Sequence, residues 1–182
     1  MSEYSDDELI NLFKTGNNPN YAFNLIVKKY QERLYWHIRR LVLIHEDADD
    51  VLQNTLLKAW LGLEKFQSNA QLYTWLYRIA TNESLNHLNK QKRKSLFSFQ
   101  SLEKQLSNQL KADSYFEGDE IQYKLQQALL KLPEKQRIVF NMKYFEEMKY
   151  EEMADILETS VGALKASYHI ATKKIEEFLK SN

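Results

Sequence analysis

Pro19 and Pro133 are the only prolines in the 182 residues, and each stands at the start of a run whose apolar residues recur every three or four positions. Proline is tolerated in the first turn of a helix, where its missing N–H leaves no bond unmade, and it breaks a helix anywhere later. Long uninterrupted stretches between two such starts leave helix as the economical conformation. Only four glycines punctuate the chain; valine is scarce, while Leu, Lys, Glu, Gln and Ala are common, which favours helices over short strands. The expected fold class is all-α.

The periodicity places the elements. A first helix opens after Ser5, with Asp6, Asp7 and Glu8 in the turn where the helix dipole favours negative charge, and ends near Gly16. A second runs from about Pro19 to Leu43, with Phe23, Ile26, Val27, Tyr30, Leu34, Ile38 and Leu41 as its core stripe. A third, about 46 to 64, carries Val51, Leu52, Thr55, Leu56, Ala59 and Trp60 on one side, and a fourth runs from about 71 to 92. From Ser95 to about Gly118 the periodicity fades into Ser, Gln, Asn and acidic residues, the composition of a flexible linker. Four further helices are expected at about 119–131, 134–145, 149–157 and 161–180. The expectation is two small helical domains, 1–94 and 119–182, joined by a linker at 95–118.

Composition narrows the function. Absence of cysteine excludes disulfides, thiolate zinc sites and a cysteine nucleophile. No stretch approaches the roughly 20 apolar residues that cross a bilayer, and Met1 to Ile10 is acidic and polar, so a cytoplasmic protein is expected without membrane insertion. The formal net charge is zero, which does not suit a protein that holds DNA by bulk charge alone. Residues 1–94 hold 13 basic and 11 acidic side chains, 95–123 hold 2 and 5, and 124–182 hold 10 and 9. Two near-neutral lobes flank an acidic joint.

In the second half, Tyr150 to Leu157 forms a short helix with Met153, Ile156 and Leu157 inward, followed by the turn Glu158, Thr159, Ser160. Ser160 suits an N-cap for a second helix in which Val161, Leu164 and Tyr168 point inward while Lys165, Ser167, His169, Thr172 and Lys173 lie elsewhere on the surface. Helix, three-residue turn and helix with a polar, weakly basic outer face is the helix-turn-helix plan, whose second helix enters the major groove. An ordinary helical hairpin has the same spacing.

In the first half, Trp75, Arg78, Asn82, Asn86, Asn89 and Arg93 recur at intervals of three or four and share one helix face. An aromatic, three amides able to read base edges and a basic end at Lys90, Lys92, Arg93 and Lys94 suit a strand whose bases stack while its phosphates are neutralised. Tyr73 and Tyr77 flank Trp75 and add ring surface. The short polar loop from Phe66 to Gln71, with Ser68 and Asn69, is suited to hold an extruded base. The acidic start of the third helix, Glu46, Asp47, Asp49 and Asp50, would repel phosphate and is expected to face a protein, although helix-dipole stabilisation alone also accounts for it.

Together these segments resemble the sigma-70 family in its extracytoplasmic-function group. Asp47-Ala48-Asp49-Asp50-Val51-Leu52-Gln53-Asn54-Thr55-Leu56-Leu57-Lys58-Ala59-Trp60 is similar to the family segment DAEDLVQETFLRAW, which grips the clamp helices of core RNA polymerase, with departures at Asn54 and Leu56. Leu72-Tyr73-Thr74-Trp75-Leu76-Tyr77-Arg78-Ile79-Ala80-Thr81-Asn82 resembles FRTWLYRIARN, which with the basic helix end contacts and melts the minus-ten promoter element; the loop before it corresponds to the base-capturing loop. Leu132-Pro133, Gln136-Arg137, Tyr150-Glu151-Glu152-Met153-Ala154 and Ser160-Val161-Gly162-Ala163-Leu164-Lys165 resemble the minus-thirty-five-binding domain. Glu158 stands where that domain usually has glycine, and Ser167, Ile170 and Thr172 stand where arginines are frequent.

The resemblance implies a non-enzymatic subunit of RNA polymerase that recognises and melts promoter DNA. It assigns core binding to Asp47, Asp49, Asp50, Gln53, Asn54, Leu57 and Lys58, and the minus-ten element to Ser68, Asn69, Tyr73, Trp75, Arg78, Asn82, Asn86, Asn89, Lys90, Lys92 and Arg93. The minus-thirty-five element falls to Arg137, Ser160, Ala163, Lys165, Ser167, His169 and Lys173. The implied partners are core polymerase, duplex promoter DNA, the melted non-template strand and an anti-sigma factor; no cofactor or metal is implied. The rival is a stand-alone helix-turn-helix regulator that binds palindromic DNA without polymerase. A helical enzyme fits poorly, because His37, His45, His87 and His169 are scattered and no glycine-rich phosphate loop is present.

Overall fold

The computed structural model describes residues 4–67, 70–94, 108 and 120–181. Among them run eight helices and no strand: α1 (Asp6–Thr15), α2 (Pro19–Val42), α3 (His45–Leu63), α4 (Leu72–Lys94), α5 (Glu120–Leu130), α6 (Glu134–Tyr144), α7 (Tyr150–Leu157) and α8 (Val161–Ser181). The all-α expectation holds, and the helices fall into two groups, α1–α4 and α5–α8. The linker expected at 95–118 lies, apart from Asn108, outside the described residues.

Local chemistry sets the ends. Ser5 and Glu8 close a capping box on α1: the Glu8 N–H donates to the Ser5 hydroxyl at 3.3 Å and the Ser5 N–H to the Glu8 carboxylate at 2.7 Å. The Asn18 side chain caps α2 by accepting from the Tyr21 N–H, with Pro19 in the first turn. Pro133 precedes α6, and the Ser160 hydroxyl accepts from the Ala163 N–H at 3.2 Å to open α8.

The first lobe packs around the inward stripe of α2, where Ile26, Leu34, Ile38 and Leu41 are buried with Val51 and Ala59 of α3 and Leu72, Leu76 and Ala80 of α4. Edge-on rings close its far end, Trp60 lying 5.1 Å from both Phe13 and Phe23. α1 is fastened by Asp6, which accepts from the Tyr30 hydroxyl at 2.7 Å and pairs with Lys29 at 2.9 Å.

The second lobe has its own apolar cluster of Ala128, Leu129, Leu132, Phe140, Ala171 and Ile175. The lobes do not stand apart. Ile138, Val139, Met142, Met148, Met153, Ile156 and Leu164 of the second lobe belong to the same apolar cluster as the core of the first, because α7 lies on α4 and α6 on α2. No sequence signal announced this packing.

Candidate nucleic-acid interface

α4 has two sides. Leu72, Thr74, Leu76, Tyr77, Ala80, Thr81, Ser84 and Leu88 are buried, while Asn82, Asn86, Asn89, Lys90, Lys92 and Arg93 are exposed along the opposite side. A row of amides ending in cations on a helix anchored by an apolar stripe offers donors and acceptors to bases and positive charge to phosphates. Lys92 pairs with Glu134 of α6.

At the N-terminal end of α4 the arrangement is tighter. Trp75 is half-buried, its ring 5.0 Å from Phe66 and against Gly62. The Tyr73 ring lies 4.5 Å from that of Tyr77 at a tilt of 45°, with the Arg33 guanidinium 5.1 Å above it, and burial pushes its hydroxyl pKa up to about 12. Tyr77, expected to add ring surface, is instead fully buried, and its hydroxyl donates to Glu146 at 2.7 Å. Burial and that carboxylate raise its pKa. Arg78 donates to the Asp155 carbonyl of α7. Ser68 and Asn69 lie outside the described residues.

α3 turns Ala48, Val51, Thr55, Ala59 and Leu63 inward, leaving Asp50, Gln53, Asn54, Leu57 and Lys58 exposed on its outer side. Leu61 continues that side one turn beyond Leu57; the two are 67 % and 57 % exposed. Sequence reasoning missed Leu61, although its spacing of four from Leu57 was visible. Exposed neighbouring leucines beside acidic residues suit a protein surface rather than phosphate. Asp49 faces His45 at 3.5 Å, and Lys58 pairs with Glu83 of α4. Asp47 differs from the expectation of a presented carboxylate. It turns toward α4, accepting from the Gln91 amide at 2.7 Å, with His87 Nε2 at 3.3 Å from its other oxygen.

On α8, Leu164, Ala171 and Ile175 are buried, and Lys165, His169 and Lys173, spaced by four, form an exposed stripe on the far side. Ser160 and Ala163 are exposed at the start of α8, and Ser167 is half-buried. Lys165 also lies 5.7 Å over the Tyr150 ring of α7. Arg137 corrects the expectation of a DNA-facing side chain: it is 7 % exposed, on the inward side of α6 with Ile138 and Phe140, and burial lowers its pKa. Among the described residues no three His, Asp or Glu side chains gather as a metal site, and no helix is long and apolar enough to cross a membrane.

Comparison with known proteins follows this division. A family model described as sigma-70 region 2 matches residues 26–94, spanning α2 to α4, and one described as sigma-70, region 4 matches residues 122–175, in the second lobe. The chain belongs to the sigma-70 family. Its relatives place it in the extracytoplasmic-function group. It is 29 % identical over 196 residues to the RNA polymerase sigma-H factor of Pseudomonas aeruginosa, covering 99 % of this chain and 96 % of that protein. It is 29 % identical over 167 residues to the ECF RNA polymerase sigma factor SigW of Bacillus subtilis, covering 87 % and 89 %. With the ECF RNA polymerase sigma-E factor of Escherichia coli it shares 29 % identity over 187 residues, covering 97 % and 95 %. Solved structures share the fold. CnrH, in complex with the cytosolic domain of CnrY, matches with a TM-score of 0.71 at 23 % identity over 97 % of this chain and 98 % of that one. The sigma factor RpoE from Bartonella quintana, in complex with the anti-sigma factor NepR, matches with a TM-score of 0.69 at 23 % identity over 87 % and 96 %. In this sigma-70 family member, α4 lies in the segment matched by region 2 and the α7–α8 helix-turn-helix in that matched by region 4.

Proposed function

We propose that this sigma factor binds core RNA polymerase and directs promoter-specific initiation through three faces, with residues 1–94 as sigma domain two and 119–182 as sigma domain four. The outer side of α3, with Asp49, Asp50, Gln53, Asn54, Leu57, Lys58 and Leu61, docks the polymerase. Its paired leucines supply apolar area and its carboxylates keep DNA away. Asp47 supports that side from behind, through α4.

The outer side of α4 receives the melted non-template strand of the minus-ten element. Asn82, Asn86 and Asn89 meet base edges, Lys90, Lys92 and Arg93 neutralise phosphates, and Trp75, Tyr73 and Arg78 stand at the end where the duplex parts. α8 enters the major groove of the minus-thirty-five element through Ser160, Ala163, Lys165, Ser167, His169 and Lys173, with Arg137 holding the lobe from within. The polymerase supplies the catalysis. The chain then works in the cytoplasm beside it, and an anti-sigma protein is the proposed regulator, a reading supported by the structural relative RpoE, which is solved in complex with the anti-sigma factor NepR.

The observation that carries this reading is the divided surface of α4, whose amide and basic side is exposed although the same helix buries eight residues on the other. Near-zero net charge fits, since affinity for DNA then comes mainly from the assembled complex. The test is co-elution of the purified chain with bacterial core RNA polymerase on a sizing column, followed by transcription from duplex and pre-melted templates. Co-elution, lost on Leu57→Asp with Leu61→Asp, is expected. Asn82→Ala with Asn86→Ala is expected to impair duplex templates more than pre-melted ones. Clean separation from active core would leave a stand-alone DNA-binding regulator.

A further inference from the structure

The helix-turn-helix exposes a large apolar side chain that the fold does not use. Ile170 of α8 is 44 % exposed and joins none of the apolar clusters of the described residues. Its own helix turns Leu164, Ala171 and Ile175 into the core instead. A single exposed isoleucine is ordinary on a protein surface; its surroundings set this one apart.

α8 meets α7 along one edge and α6 along the other. On the first, Lys165 reaches over the Tyr150 ring at 5.7 Å; on the second, Lys174 donates to the Gln136 side chain at 3.0 Å. The sector between these edges, opposite the buried residues, presents Ala166, His169, Ile170 and Lys173, all exposed. Ala163, Ala166 and Ile170 recur at intervals of three and four and form an apolar row beside that of Lys165, His169 and Lys173. At the head of the helix a Cβ on Gly162 would meet nothing within 4 Å. Short side chains there let the backbone come close to whatever the sector faces, and Ile170 is the apolar side chain that reaches it.

The charge around the row selects its occupant. Lys165, Lys173 and Lys174 flank it beside His169, and the acidic Glu176 and Glu177 come only after it. Cations at the rim suit phosphates. Among the hydrogen-bonding groups that line a major groove, the apolar feature on the base edges is the C5-methyl of thymine, whereas guanine offers N7 and O6 to an arginine fork. An isoleucine has no donor for guanine, and it packs against that methyl.

We propose that Ile170, with Ala166 one turn before it, is a specificity-determining pair on α8 that reads thymine methyl groups, so that the upstream element selected by this chain carries thymine at the step Ile170 meets. The pair rests on the reading of α8 as the helix that enters the major groove and goes beyond it by naming the base. The lysines hold the backbone; Ile170 chooses the sequence.

The test uses the full chain assembled with core polymerase, as the parent and as Ile170→Ala and Ile170→Arg, changes at an exposed position that leave the fold intact. Random duplex DNA is enriched on the parent holoenzyme, and each thymine of the enriched upstream element is then replaced by deoxyuridine, which differs only in lacking the methyl group. At the step that Ile170 meets, uracil is expected to weaken binding of the parent by about threefold to fourfold, the worth of one buried methyl group, and to leave binding of Ile170→Ala unchanged. Enrichment on Ile170→Arg is expected to exchange thymine for guanine at the same step. Uracil that is tolerated at every thymine, or that weakens the parent and Ile170→Ala alike, overturns the proposal, while the enriched element still upholds α8 as the helix that reads DNA. A holoenzyme that enriches no upstream sequence, or a chain that does not assemble with core, overturns that reading of α8 itself.

Discussion

The indole of Trp75 closes directly on Gly62: a Cβ at that glycine would stand 2.9 Å from Cζ2 of the ring. With Phe66 on another side at 5.0 Å, the ring has little room to withdraw. Trp75 is therefore aimed by the end of α3, not by α4 alone.

Gly62→Ala sets two effects against each other. Alanine in a helix gains about 1 kcal/mol of propensity over glycine, and the contact with the indole offsets it by a similar amount. Overall stability is expected to change little while the ring moves. A shifted Trp75 emission, read in a chain with Trp36 and Trp60 replaced by Phe, together with slower opening of duplex promoters at an unchanged melting temperature, is the expected outcome. An unmoved ring and normal opening would show that its position at Gly62 does not serve melting.

Asp47 and Asp50 are near neighbours in sequence with different tasks. Asp47 holds Gln91 and faces His87 across the α3–α4 junction, so Asp47→Ala should cost about 1 kcal/mol of stability through the lost bond and the unpaired amide. Asp50 is exposed, and Asp50→Ala should change stability by no more than about 0.5 kcal/mol while weakening polymerase association. Urea melts and sizing-column co-elution on both variants separate the two. Equal effects in both assays would refute the division.

What was legible in the sequence was what acts over three or four residues. Ser5 with Glu8 and Ser160 mark helix starts because their capping bonds reach one turn ahead, and Pro19 and Pro133 mark them because a missing N–H leaves no bond unmade only there. The inward stripes of α2, α3 and α8 follow from period alone, as does the exposed run from Asn82 to Arg93. What escaped depends on partners distant in sequence. Tyr77 reads as one more exposed ring until Glu146, 69 residues later, is laid over it. Asp47 reads as a surface charge until Gln91, 44 residues on, turns back to it. Arg137 matches a family motif, yet its inward position on α6 depends on packing by a lobe whose helices pair out of sequence order, α5 and α6 both meeting α8.

His37 predicts a pH dependence. It is fully buried, and burial, with the Arg40 guanidinium adding to it, pushes its imidazole down to about 3. The Thr81 hydroxyl donates to the Tyr77 carbonyl at 2.7 Å and so accepts from His37 Nε2–H at 2.9 Å, leaving Nδ1 bare and unpaired. Unfolded, the ring takes up a proton near pH 6.5; folded, it refuses one until about 3. Its contribution to stability is thus complete above about pH 6.5 and is lost as pH falls toward 3, by at most about 1.4 kcal/mol per pH unit. Urea melts between pH 7 and 5, above most carboxylate titration, should show a loss of up to about 2 kcal/mol. His37→Gln, which keeps a donor for Thr81, should flatten that slope. Parallel slopes would refute the assignment.

Glu158 carries a cost that the turn of the helix-turn-helix imposes. It ends α7 at φ 51° and ψ 45°, with its N–H donating to the Ala154 carbonyl. That left-handed conformation costs an L side chain about 1–2 kcal/mol, and glycine escapes the cost while losing about 0.5–1 kcal/mol of it again to unfolded-chain entropy. Glu158→Gly is therefore expected to stabilise the protein by about 0.5–1 kcal/mol. Glu158→Ala keeps the Cβ and serves as the control: both variants remove the same charge from the same exposed position, so the difference between their thermal midpoints isolates the backbone term. A glycine variant no more stable than the alanine one would mean that the left-handed turn is not what Glu158 strains against.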